Sequence, residues 1–183
     1  MVLAGEGGLL LLGWALSRWL DIRVTDHLHL NFPAVLWGVI ASLPLFLGLR
    51  WTLHTQSPPI KRLLQLVQDQ LGPLVASRSP AELALAAALA GLAEEVLFRG
   101  VMQDELARKV PGFLALVLTS ATFGLAHFLT LSYALLAALA GLYLGTLYWV
   151  QGNLLIPIIA HALYDLVALM QLARMYRARP TPE

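Results

Sequence analysis

The chain has 183 residues, of which 58% are hydrophobic and 13% are charged, and its mean hydropathy is +0.72. Soluble domains average about 45–50% apolar and about 25% charged residues, so this composition excludes an ordinary soluble domain, a disordered chain and a coiled coil, and indicates an integral membrane protein. The net charge of +1 gives no basic surface for nucleic acid, and the absence of cysteine excludes disulfides, thiol catalysis and cysteine-based metal sites.

Six apolar stretches predict membrane-spanning helices, because a helix needs about 20 mostly apolar residues to cross the hydrocarbon core. The expected fold is therefore all-α, a polytopic transmembrane helix bundle of about six spans. Glu6 and Arg18 interrupt the first span, which has no basic segment before it and is predicted to be a retained helix rather than a cleaved signal peptide. In chain order the predicted spans cover residues 2–20, 32–53, 81–102, 112–130, 131–150 and 154–173.

Between the second and third spans, residues 60–75 carry apolar side chains at helical spacing opposite charged and amide side chains. This pattern is typical of an amphipathic helix at the membrane interface, and an extension of a neighbouring span has the same pattern. Gly72 and Pro73 break the helix in either case. The predicted organisation is two spans and an interfacial helix over residues 1–79, a four-helix core over 80–173 and a disordered basic tail over 174–183.

Lys and Arg in the short loops predict the orientation, because they are more frequent on the cytoplasmic side. With six spans, both termini share one side with the loop 54–80, and this side carries seven basic residues against four on the other. We therefore expect cytoplasmic termini. The seven are Arg50, Lys61, Arg62, Arg78, Arg174, Arg177 and Arg179, and the four are Arg18, Arg23, Arg108 and Lys109.

Six ionisable side chains fall inside three of the last four predicted spans, more than two residues from the ends, where an ionised group costs about 2.5–3.5 kcal/mol and needs a partner or a function. Glu95 and Arg99 are four residues apart, so they lie on one helix face and are predicted to form an ion pair that supports the packing. Glu94 is turned by about 100° from Glu95 and has no partner within its helix. The other three are His127, His161 and Asp165.

A polar cluster across the bundle is therefore predicted for Glu94, His127, His161 and Asp165. Imidazoles and carboxylates in a water-poor pocket suit hydrolysis by an activated water, with a carboxylate as the base and the imidazoles holding the water or the oxyanion. The same four groups also suit zinc, through His127, His161 and the carboxylates. At this stage zinc and a site without metal are both open.

The depth of these residues in their spans is not uniform. At about 1.5 Å per residue, Glu94 and His161 lie roughly 20 Å from the membrane side that carries the 54–80 loop. His127 is only about 6 Å from Leu131, where the fourth span ends and the fifth begins. The fourth helix must therefore be displaced, or must turn into the fifth while it is still inside the membrane.

Two other classes of function use the same residues. A proton-coupled transporter also places Glu, His and Asp in its spans, but the inverted repeats and paired broken helices of such transporters are not recognisable here. A non-catalytic scaffold or immunity-type protein would use the cluster only to hold the bundle together. Among proteases, the lack of HExxH excludes the zincins, and the lack of GxSxG argues against a serine mechanism.

Three motifs in the second half of the chain resemble the CPBP family of intramembrane proteases, which includes the CAAX prenyl endopeptidase and bacteriocin-processing and immunity relatives. The family pattern is EExxxR, then FxxxH, then HxxxN or HxxxD, and this chain has Glu94-Glu95 with Arg99, Phe123 with His127, and His161 with Asp165. The resemblance covers residues 81–173. It implies an endopeptidase that cuts at or within the membrane.

By position in these motifs, the resemblance implies that Glu94 is the general base, with His127 and His161 helping to hold the water or a metal. Asp165 stands where the eukaryotic prenyl endopeptidases have Asn. The resemblance implies that this Asn donates a hydrogen bond to the oxyanion. An ionised Asp cannot donate. Either Asp165 is protonated, or it only orients water or His161, or a metal replaces the amide. The expected partners are the lipid bilayer and a peptide or membrane-protein substrate, prenylated or not.

Overall fold

The computed structural model describes residues 2–179, and within this range the chain forms helices and turns with no strand. The predicted all-α fold is thus confirmed. The elements are α1 (Val2–Trp19), a 3-10 turn (Val24–His27), α2 (Phe32–His54), α3 (Pro58–Gln70), α4 (Gly72–Ala76), α5 (Pro80–Glu95), a π-helical segment (Val96–Gln103), α6 (Asp104–Ala107), α7 (Gly112–Ala126), α8 (Leu131–Gln151) and α9 (Leu155–Arg177).

Three helices in the described part of the chain, α2, α8 and α9, are long and apolar enough to cross a membrane. They correspond to three of the six predicted spans, so the span count is confirmed only in part. Large apolar side chains such as Trp37, Leu47 and Leu139 are exposed on their outer faces, as expected where lipid replaces water. The chain is an integral membrane protein.

The fourth predicted span, 112–130, is shorter than expected. Helix α7 has 15 residues, or about 22 Å at 1.5 Å per residue, against a hydrocarbon core of about 30 Å. It ends at Ala126, and the chain then turns into α8, whose first turn is capped by Thr130 accepting from the backbone N–H of Tyr133. His127 therefore caps a short helix, and the chain turns into α8 directly after it. The depth of this turn in the membrane stays a prediction.

Helix α9 packs against α2, α4, α5 and α8. Glycines allow close approaches both at α9 and between α7 and α8. A Cβ at Gly91 of α5 would lie 2.9 Å from the backbone N of Ala162 in α9. A Cβ at Gly124 of α7 would lie 2.5 Å from the carbonyl O of Ala134 in α8. Small residues thus let helix backbones touch, as in other membrane bundles.

Helix α5, the π-helical segment and α6 form one continuous helix over residues 80–107. Its start is a capping box, in which Ser79 accepts from the backbone N–H of Glu82 and the Glu82 carboxylate accepts from the backbone N–H of Ser79. The π-helical segment was not predicted from the sequence. Such wide turns are rare and often lie at functional sites, and this one directly follows Glu94 and Glu95.

Two hydrogen bonds fix this helix against α8. The Nη2 atom of Arg99 donates to the carbonyl O of Gly141 over 3.0 Å, and Nε2 of Gln103 donates to the carbonyl O of Gly145 over 3.1 Å. These glycine carbonyls are reachable because no side chain stands beside them; a Cβ at Gly145 would lie 2.7 Å from Oε1 of Gln103. The two bonds, which we call the glycine ladder, set the register of the two helices.

Helix α3 is separate from α2. The helical segment is interrupted between α3 and α4, next to Gly72, as predicted. Its position at a membrane interface stays a prediction. Helix α9 continues to Arg177, so the predicted start of the tail at residue 174 is too early. Arg177 donates to the carbonyl of Ala76, and Arg179 pairs with Asp69 over 2.7 Å. Residues 180–183 lie outside the described residues.

Candidate active site

The four side chains of the predicted cluster come together where α5, α7 and α9 meet. Nε2 of His127 lies 3.5 Å from Oε2 of Glu94, and Nε2 of His161 lies 4.0 Å from the same oxygen. Nε2 of His161 is also 3.5 Å from Oδ2 of Asp165. Two imidazoles on different helices therefore point the same ring nitrogen at one carboxylate oxygen.

The other ring nitrogen of each histidine faces a hydrogen-bond acceptor. Nδ1 of His127 lies 2.8 Å from the carbonyl O of Phe123, and Nδ1 of His161 lies 2.8 Å from Oε1 of Glu95. Because a carbonyl and an ionised carboxylate only accept, both Nδ1 atoms are assigned as donors. A neutral imidazole at either position thus presents the lone pair of Nε2 towards Glu94, and a protonated one presents an N–H.

Behind His161, Glu95 and Arg99 form the ion pair that their spacing predicts. Nη1 of Arg99 donates to Oε1 of Glu95 over 2.9 Å, and the two residues are 1% and 0% exposed. The same Oε1 accepts from His161, so the three side chains form one chain of charge-assisted hydrogen bonds. The sequence assigned Glu95 to Arg99 alone. Its contact with His161 crosses from α5 to α9 and has no local signal.

Phe123, the first residue of the second motif, packs against both charged and imidazole groups. Cζ of Arg99 lies 4.5 Å from the centre of the Phe123 ring, and the ring centres of Phe123 and His127 are 4.4 Å apart. The first contact is a cation–π interaction. Phe123 therefore helps to fix the positions of the Arg99 guanidinium and the His127 imidazole.

A cavity of about 390 Å³ opens beside the cluster. Most of its lining is apolar and comes from α2, α3, α8 and α9, with Leu49, Leu64 and Leu136 as examples. The volume falls within the range of about 300–1,000 Å³ that is typical of ligand pockets. Its polar lining includes Glu94, His127, Tyr133, His161, Tyr164 and Asp165.

Glu6 of α1 lines the same cavity, and sequence reasoning missed it. In the sequence this residue stands out only as an interruption of the first span. Its Oε2 atom is buried and has no hydrogen-bond partner within residues 2–179. The available signal was an ionisable side chain in an apolar segment, the same signal that singled out the other acids.

Zinc was one of the two options that the sequence left open. In the described range, no group of three or more His, Asp or Glu side chains is arranged to hold a metal ion. The described residues therefore give zinc no ready-made site, and the choice between zinc and a site without metal stays a prediction.

The comparisons with known proteins point to one family. A family model described as type II CAAX prenyl endopeptidase Rce1-like matches residues 76–167, which is just over half of the chain. The matched stretch contains Glu94, His127, His161 and Asp165. No curated protein and no solved structure gives a match.

Proposed function

Because the chain belongs to the type II CAAX prenyl endopeptidase Rce1-like family, a family of proteases, we propose that it is an intramembrane endopeptidase in which Glu94 activates water. The observation that carries the proposal is the approach of two Nε2 atoms to Oε2 of Glu94 at the wall of a cavity. Glu94 is only 8% exposed, and its Oε2 has no hydrogen-bond partner in the part of the chain that the structure describes.

In the first step, a water bound at Oε2 of Glu94 gives a proton to this carboxylate. The water oxygen bonds to the carbonyl carbon of the scissile peptide, and the carbonyl oxygen becomes an oxyanion. The distances of 3.5 and 4.0 Å from the two imidazoles to Glu94 are longer than direct hydrogen bonds, so a water beside Glu94 has both Nε2 atoms near it. Such a general base contributes about 10²–10⁴-fold to a rate.

In the second step, the bond between carbon and nitrogen breaks, and the proton held by Glu94 passes to the leaving amine. This returns Glu94 to the carboxylate form and releases a new carboxyl end and a new amino end. A protonated imidazole of His127 or His161 donates to the oxyanion while it exists.

Asp165 and Glu95 act through His161 in this scheme. Glu95 holds Nδ1 of His161, and Asp165 lies beside its Nε2, so both carboxylates favour the protonated imidazole. Asp165 thereby contributes to the oxyanion site indirectly, where an Asn would donate directly. Arg99 holds the Glu95 carboxylate in place.

The shape of the cavity supports a substrate with an apolar group. Leucines of α2, α3 and α8 line it beside the cluster, and a prenyl chain attached near the scissile bond has the same apolar character. We therefore propose a prenylated peptide as the substrate class to test first, with an unprenylated peptide of the same sequence for comparison.

The test is cleavage of an internally quenched prenylated peptide by the full chain purified in detergent, with metal content measured in the same samples. We expect Glu94→Gln to lower kcat/KM by about 10²–10⁴-fold, because Gln cannot take the proton. Asp26→Asn is the matched control, since it removes an exposed carboxylate in the 3-10 turn and leaves the cavity unchanged.

Three results would count against the proposal. Equal cleavage by the wild-type protein and Glu94→Gln would remove Glu94 from the chemistry. Loss of cleavage on metal removal, with activity restored by zinc, would replace the metal-free scheme. No cleavage of any peptide by folded protein would favour the non-catalytic scaffold.

A further inference from the structure

Acidic side chains outnumber basic ones in the cavity beside Glu94. Three carboxylates line it, those of Glu6, Glu94 and Asp165, together with the imidazoles of His127 and His161. No Lys or Arg lines it in the described part of the chain. With both imidazoles protonated and all three carboxylates ionised, the negative charges would exceed the positive charges by one.

The positive charge of Arg99 does not offset the acids of the cavity, because Arg99 is paired with Glu95 and does not line the cavity. Its guanidinium pairs with Glu95 over 2.9 Å and donates to the carbonyl of Gly141, and the residue is 1% exposed. The charges of Arg99 and Glu95 therefore cancel each other behind His161. A ligand in the cavity meets the uncompensated acids.

Glu6 is the member of this set with no assigned task in the cleavage scheme. Its Oε2 is buried at the cavity and has no hydrogen-bond partner among residues 2–179. The helix around it is open, since a Cβ at Gly5, Gly7 or Gly8 would meet no atom within 4 Å. A glycine inside a helix costs about 1 kcal/mol of stability relative to alanine. No packing contact of the protein requires glycine at these three positions.

This arrangement bears on the end of the peptide that leaves. In a CAAX substrate three residues follow the prenylated cysteine and end in a free carboxylate. An extended chain covers about 3.3–3.6 Å per residue, so this carboxylate lies within about 10 Å of the scissile bond. At that distance, in a mostly apolar cavity, it is poorly screened from the carboxylates of Glu6, Glu94 and Asp165.

We infer that Glu6 is a specificity-determining residue that disfavours an anionic leaving end, so that the substrates are peptides that continue beyond the cleavage site or end in an uncharged group. The inference rests on the proposed function, because it takes the cavity to be the substrate site. It narrows the substrate class from CAAX-type carboxyl ends to internal or capped peptide segments.

The experiment uses two prenylated peptides of identical sequence, one ending in a free carboxylate and one in a carboxamide. We expect kcat/KM of the wild-type protein to be about tenfold or more higher for the carboxamide than for the free carboxylate. The reason is that the peptide carboxylate is repelled by the carboxylates of the cavity, and a repulsion of about 1.4 kcal/mol already changes affinity tenfold. Glu6→Gln, which has the same shape without the charge, should bring the ratio down towards one. Asp26→Asn should keep the wild-type ratio.

Binding of the same two peptides with an N-methylated scissile bond, measured by fluorescence anisotropy, separates this inference from the proposed function. If no peptide is cleaved, the proposed function fails, and the ratio of the two Kd values still decides whether Glu6 selects against the carboxylate. Equal binding and equal cleavage of the two peptides would overturn the inference while leaving Glu94 as the base. A wild-type preference that Glu6→Gln does not reduce would also overturn it.

Discussion

Two clusters in this protein pair a histidine, an acid and a tyrosine with almost the same geometry. In the cavity cluster (Glu94, His127 and Tyr133), Nε2 of histidine lies 3.5 Å from the acid, and the histidine and tyrosine ring centres are 6.1 Å apart. In the loop cluster (His27, Asp104 and Tyr148), the corresponding distances are 3.4 and 6.0 Å.

The clusters differ in the hydrogen-bond donors that reach the acid. Both oxygens of Asp104 lie within 3.0 Å of the Tyr148 hydroxyl, which donates to them, whereas Oε2 of Glu94 has no hydrogen-bond partner in the described chain. Glu94 also lines the cavity, and no loop-cluster residue does. Pair distances alone therefore do not separate the two clusters, whereas the unmet acceptor at the cavity wall does.

The largest difference is expected between the two histidines. His127→Ala should lower kcat/KM for the prenylated peptide by about 10²–10³-fold, because a donor to the oxyanion is lost. His27→Ala should leave it within about twofold, since it lies outside the cavity. Thermal unfolding of both variants in detergent checks that they fold. Equal losses in the two would end the distinction between the clusters.

The next effect concerns the support behind the cavity cluster. Arg99→Met should lower the free energy of unfolding by about 3–5 kcal/mol, because it leaves Glu95 buried without the Arg99 guanidinium. Arg78→Met breaks the exposed pair with Glu82 and should cost about 0–1 kcal/mol. Unfolding of both variants by denaturant in the same detergent gives the comparison. A cost for Arg99→Met below that of Arg78→Met would show that the buried chain is not a support.

A smaller loss of stability is expected in the loop cluster. Tyr148→Phe removes the hydroxyl that donates to Asp104 and should cost about 1–2 kcal/mol, with the cleavage rate unchanged. The measurement is denaturant unfolding together with the peptide assay. A slower reaction at unchanged stability would link this cluster to the active site after all.

The smallest effect is a slope of stability with pH. Asp104 lies beyond the predicted span 81–102, and burial raises the pKa of its carboxyl above the usual value, against the lowering effects of the Tyr148 hydrogen bond and of His27. Because the folded state holds this proton more tightly, its contribution is fully present below the usual Asp pKa and is lost as pH rises through the folded value. Asp104→Asn should make the unfolding free energy less dependent on pH above about 4. A steeper dependence in the variant would reverse the sign.

The local parts of the candidate site could be predicted from the sequence. Glu95 and Arg99 are four residues apart on one helix, so their pairing needed no knowledge of the fold. Glu94, His127 and His161 stood out because ionisable groups are costly in apolar spans. The structure brings them together, and their catalytic roles remain proposals.

The rest depended on how the helices pack. The hydrogen bond from His161 to Glu95 needs the close approach of α5 and α9 at Gly91, and the place of Glu6 at the cavity needs α1 to pack against α5. No spacing along the chain carries that information. The end of α7 at Ala126 was not fixed by the sequence either, because the apolar pattern continues through the turn that follows and allowed both a displaced helix and an early turn.

The glycine ladder has a consequence for how the gene can change. Arg99 and Gln103 are four residues apart, as are Gly141 and Gly145, so both rungs fit only while the two intervals stay equal. Single substitutions leave these intervals intact, but a deletion or insertion of one residue inside either interval destroys the match and breaks one of the two hydrogen bonds, Arg99 to Gly141 or Gln103 to Gly145. We expect lineages of this protein to keep both intervals at four residues.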